Sequence, residues 1–110
     1  MPQDEQTFLE YGNLCVDLPT QSVTVQDQPV HLAKMEYRLL CYLIKHAGQV
    51  VSRQEILANI WNLPPNARTR TLDMHIHALR KKLGLNEDLE TVFRIGYKLR
   101  RQSKKEEWQR

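Results

Sequence analysis

One apolar stripe decides what residues 70–83 can become. Leu72, Ile76, Leu79 and Leu83 recur at the spacing of a single α-helical face. At about 100° per residue the opposite face carries Arg70, Met74, His77, Ala78 and Lys81. Arg80 and Asp73 fall on one flank, His75 and Lys82 on the other. Gly84 suits the left-handed position that closes a helix, and Arg80, Lys81 and Lys82 lie at the negative end of its dipole. The outer face holds no acid. One side of such a helix docks on a core; the other is either a solvated basic face or a surface for an anion.

Charge distribution favours the anion. Residues 66–110 hold twelve Lys and Arg against six acids, whereas residues 1–65 hold four against seven. That asymmetry suits a polyanionic partner, nucleic acid or an anionic membrane. At 110 residues the chain has room for one modest core. No apolar run reaches spanning length, and residues 1–6 are no signal peptide. Cys15 and Cys41 form no metal or redox motif, as expected of a cytoplasmic protein.

In chain order, a polar leader (1–6) precedes four extended runs, Phe8–Tyr11, Leu14–Leu18, Ser22–Val25 and Pro29–Leu32. They are broken at Gly12-Asn13, Pro19-Thr20 and Asp27-Gln28, all turn formers, which predicts a small antiparallel sheet with one buried face. A first helix is expected over Lys34–Ala47, ended by Gly48, with Ala33 at an N-cap position that offers no hydroxyl to pair with Glu36. A second starts with the capping-box pair Ser52 and Glu55 and the staple Val51 and Ile56. The prolines of residues 62–69 make a stiff loop into the third helix. Beyond Gly84 a hairpin is expected, with Gly96 as the residue suited to positive φ, followed by a charged tail, 102–110. The domain proper is residues 7–101.

Two helices across a turn, the second with a basic outer face, followed by a basic hairpin, define a winged helix-turn-helix. The fold class expected is α+β: a four-stranded antiparallel N-terminal sheet, three helices and a C-terminal β-hairpin wing. Arg70-Thr71-Leu72-Asp73-Met74-His75-Ile76-His77-Ala78-Leu79-Arg80-Lys81-Lys82-Leu83, with Thr91-Val92 and Gly96-Tyr97-Lys98-Leu99, resembles the effector domain of OmpR/PhoB-type response regulators. Leu32–Leu40, Gly48–Arg53 and Ile60-Trp61 extend the resemblance over nearly the whole chain. It implies binding of promoter DNA as head-to-tail pairs on direct repeats by a domain monomeric in isolation. It also implies a loop, Asn62, Leu63, Pro64, Pro65, Asn66, Ala67, Arg68 and Thr69, that contacts RNA polymerase, and a phosphorylatable receiver domain ahead of the effector. This chain contains no receiver, so an excised effector domain is expected, with a free-standing regulator as the alternative.

The DNA-binding set expected is Arg70, Thr71, Met74, His75, His77, Ala78, Arg80, Lys81, Thr91, Arg94 and Tyr97. Met74 could meet a thymine methyl, and His77 and Lys81 a base or phosphate. Arg80, on a flank, suits a phosphate or an acid better than a base. Trp61 and Tyr97 also suit the core. The family's wing commonly reads Thr-Val-Arg-Gly-x-Gly-Tyr; here Thr91-Val92-Phe93-Arg94-Ile95-Gly96-Tyr97 shifts the Arg and lacks a Gly, which places Arg94 at or near the tip. No metal site is expected, because His75 and His77 point about 200° apart on a helix. No cofactor is expected either. No nucleophile–base pair, paired carboxylates or phosphate-cradling Gly loop points to an enzyme. The alternative function is a winged-helix protein-interaction module, although such a face would want more apolar anchors than Met74.

Overall fold

The computed structural model describes residues 7–64 and 66–102. The leader at 1–6, Pro65 and most of the charged tail lie outside the described residues. Four strands, β1 (Phe8–Tyr11), β2 (Leu14–Asp17), β3 (Ser22–Val25) and β4 (Gln28–Val30), form an antiparallel sheet in chain order. Its register aligns Leu9, Val16, Val23 and Val30 across the strands, and Tyr11, Leu14 and Val25 beside them. Alternation therefore puts one apolar set on the buried face. The last turn falls at Gln26-Asp27, one residue earlier than expected, because Val25 pairs with Gln28. Both turn residues have positive φ, +52° and +66°. That is the twist a two-residue hairpin requires, and it moves Gln28 into β4.

Helix α1 (Lys34–Lys45) packs against β1 of this sheet and against the other helices, burying Leu39, Leu40 and Leu43. It stops at Lys45 rather than Ala47, where the His46 and Ala47 amides turn back onto the last carbonyls. Gly48, at φ +89°, then donates its amide to Leu99 O at 2.7 Å. That bond starts a strand the sequence did not announce, β5 (Val50–Ser52). It pairs with β7 (Gly96–Leu99), which pairs with β6 (Leu89–Val92), so the wing is a three-stranded sheet in the order β5-β7-β6.

Helix α2 (Arg53–Trp61) begins on the full capping box: Ser52 Oγ accepts from Glu55 N at 3.0 Å and Glu55 Oε1 from Ser52 N at 3.3 Å. At α1 only half the box exists. Glu36 Oε1 accepts from Ala33 N at 2.9 Å, but Ala33 returns nothing. Helix α3 (Thr71–Leu83) buries Leu72, Ile76, Leu79 and Leu83, and Gly84 takes the left-handed position at φ +68°. Each of these four side chains contributes roughly 2 kcal/mol through burial, which fixes which face of α3 looks outward. Cys41 packs beside the core, and burial pushes its thiol pKa up.

Candidate nucleic-acid interface

Hydrogen bonds on both flanks hold α3 in place. Toward the wing, the Asp73 carboxylate accepts from the Arg53 guanidinium and, at 2.5 Å, from the Tyr97 hydroxyl. On the same flank Arg80 Nε donates to Leu89 O and Nη2 to Thr91 Oγ1, both at 2.9 Å, and the guanidinium lies 5.8 Å from the Tyr97 ring centroid. Toward the other helices, Lys82 Nζ reaches Glu36 Oε1 at 2.7 Å. His75 Nδ1 meets Thr71 O at 2.8 Å, with the ring edge-on to Trp61 at 5.2 Å.

Between these flanks Arg70, Met74, His77 and Lys81 face solvent, Met74 being 67 % exposed. Arg70, Met74 and His77 line a shallow cleft with Asp73. Among the described residues, no hydrogen bond or ion pair within the domain engages the side chains of Arg70, His77 or Lys81. Ala78 is half-buried, as is Thr71, whose amide donates to Thr69 Oγ1 and whose hydroxyl oxygen accepts from the Thr69 hydroxyl. Thr69 thereby satisfies an orphan amide that Arg70, at the cap position, does not.

Two members of the expected contact set are placed differently. Tyr97 is only 7 % exposed. Burial, then the hydrogen bond to Asp73, push its hydroxyl pKa up to about 12, so it is a neutral donor inside the domain. His75 faces Trp61, leaving the outer face to His77. Both belong to the packing that holds α3. Arg80 and Thr91 are bound to each other, and Arg80 ties α3 to β6 as it approaches the surface.

Arg94 does sit in the wing turn Phe93–Ile95, at φ +65°. Gly96, by contrast, is not in the left-handed region, and closeness explains it. A Cβ there would meet Val51 O at 2.0 Å and Ser52 Cα at 2.8 Å. The 62–69 loop is tied at both ends: Leu63 N donates to Leu57 O at 3.1 Å, and Arg53 Nη2 to Thr69 O at 3.1 Å. Asn66 and Arg68 are exposed between them. Arg53 is the residue the sequence reading missed. It joins the loop, α3 and the wing, but its partners lie far along the chain and no local pattern marks them.

A helix pair that presents one face of its second helix, flanked by a hairpin sheet, defines a winged helix-turn-helix domain. The match to the family model described as "Transcriptional regulatory protein, C terminal" covers residues 27–99, and the chain belongs to that family. It is 37% identical to the response regulator protein PmrA of Pseudomonas aeruginosa over 89 residues, 81% of this chain and 40% of that protein. Among solved structures it is similar to the Klebsiella pneumoniae RstA DNA-binding domain in complex with the RstA box, with TM-score 0.80, 28% identity, and 86% of this chain and 98% of that one covered. The DNA-binding domain of CpxR from E. coli gives TM-score 0.78 at 28% identity, covering 89% of this chain and 100% of that one. The chain spans less than half the length of the curated relatives it matches. Among the described residues, no helix is long and apolar enough to cross a membrane.

Proposed function

We infer that this domain binds double-stranded DNA sequence-specifically, as the transcription-regulating effector of a two-component response regulator in the cytoplasm. Helix α3 enters the major groove, and the wing meets the backbone or the adjacent minor groove. The observation that carries this is the outward face of α3: four side chains, Arg70, Met74, His77 and Lys81, stand between two flanks already tied down. Base edges in a major groove are read by such side chains projecting from one helix face. Arg80 and Thr91, bound to each other, suit a phosphate. Two copies bind head-to-tail on direct repeats, the exposed part of the 62–69 loop meets RNA polymerase, and a receiver domain controls the domain from its N-terminal side.

Titration of duplex, single strand and RNA at two salt concentrations tests the reading. Duplex should win, with log K falling against log[salt] more steeply than about −3. His77→Ala and Lys81→Ala should abolish the specific complex and spare the nonspecific one, whereas Arg80→Ala should weaken all sequences alike. Direct repeats about 10–11 bp apart should take two copies. A flat salt response would replace this reading with a protein-interaction module.

A further inference from the structure

The wing tip carries a side chain out of character with a basic hairpin. Phe93 is 78 % exposed and Ile95 51 %, two of the five large hydrophobic side chains exposed among the described residues. The turn that displays them is firmly mounted. Ile95 N donates to Val92 O at 2.9 Å, and Arg53 N to Ile95 O at 3.0 Å. Arg94 is held in the left-handed region, which is unfavourable for a residue with a Cβ. Its guanidinium lies 5.1 Å from the Phe93 ring centroid, so an aromatic face and a cation form one unit.

The surroundings say what such a tip fits. Arg53 bonds both the wing turn, through Ile95 O, and Asp73 in the first turn of α3, which sets the tip close to the N-terminal end of that helix. The nearby acid on α3, Asp73, is taken up by Arg53 and Tyr97, while Asp88 and Glu90 pair with Arg100 at the far end of the hairpin. An apolar ring backed by unopposed cations matches a minor groove, whose walls are sugar rings and whose floor is negative. A protein partner met through an apolar anchor gains less from such a basic surround.

We propose that Phe93 is a minor-groove wedge: it enters beside the α3 site, partly unstacks one flexible base step and bends the duplex, with Arg94 against the backbone. This rests on the duplex-binding reading above and deepens it. Pyrimidine–purine steps unstack most readily, so the wedge favours sites with such a step under the tip, at a position where no base edge is read.

The test uses the whole chain and a duplex selected by it from a random pool, with dyes at both ends to report bending. The flank under the wing, located by footprinting, is made either a TA step or a stiff A-tract. On the TA flank Phe93→Ser should lose the bend and about tenfold in affinity. Phe93→Leu should keep both, and Phe93→Arg should keep affinity without the bend. On the A-tract all four proteins should bind alike to within about threefold. Because the ring stands in solvent, unchanged thermal melts of the variants exclude a folding defect. Wild-type bending and affinity in Phe93→Ser would overturn the wedge while leaving duplex binding intact. A loss seen only on two-repeat duplexes would overturn it in favour of docking onto a second copy. Failure of the wild-type chain to select any duplex would retire both readings.

Discussion

Gly96→Ala is the sharpest perturbation of the fold. The added Cβ would sit 2.0 Å from Val51 O, 2.8 Å from Ser52 Cα and 3.0 Å from Arg53 N, all backbone atoms that no side-chain rotation can clear. An ordinary carbon–oxygen contact needs about 3.3 Å, so β5 and β7 must part by more than about 1 Å at this point. Overpacking of this kind costs about 1–3 kcal/mol. The backbone bonds at the two ends of β5, Gly48 N to Leu99 O and Arg53 N to Ile95 O, are stretched with it, at about 1 kcal/mol each. The sum is about 3–5 kcal/mol, a large part of a small domain's stability, and corresponds to a fall in Tm of at least roughly 12 °C. Urea melts of both proteins measure it, with the midpoint falling and the slope unchanged. A loss below about 1 kcal/mol would refute the close-approach explanation of this glycine.

Ser52→Ala removes the acceptor of the Glu55 amide and should cost about 1 kcal/mol in the same melts. Ala33→Thr should add about 0.5–1 kcal/mol, because Ala33 is exposed with extended backbone and Glu36 already holds its amide; a destabilised protein would show the hydroxyl has no room. Burial alone would raise the Glu36 carboxyl, but the hydrogen bonds from Lys82 and the Ala33 amide, with the lysine's charge, outweigh it and hold the pKa below the ordinary 4.5. A depressed carboxylate stabilises the fold above its unfolded pKa and loses that contribution as pH falls through the folded one. In Lys82→Met the folded-state pKa moves up toward the unfolded one, so the variant should be less stable near about pH 7 and lose less further stability than the wild type in melts taken down to about pH 3; identical acid profiles would show that the pair does not link α1 to α3.

Much of this domain is written locally. The stripe Leu72, Ile76, Leu79, Leu83 determined which face of α3 is buried, and so that Arg70, Met74, His77 and Lys81 look outward. Alternation in β2 and β3, the Ser52–Glu55 box and the Gly84 stop are equally local, since each interaction spans a turn or a hairpin. Strand β5 is not, because its partner β7 lies more than 40 residues away and three residues carry too short an alternation to announce a strand. Gly96 was legible as a glycine but not as a contact: its neighbour Val51 comes close only once the sheet is assembled. The placing of Tyr97 and His75 was decided the same way. A tyrosine or histidine beside a basic helix serves a ligand or the core equally well, until Asp73 and Trp61, packed from other positions in the fold, claim them. Local periodicity states which way a side chain points from its own element; only the packing of distant elements states what it meets there.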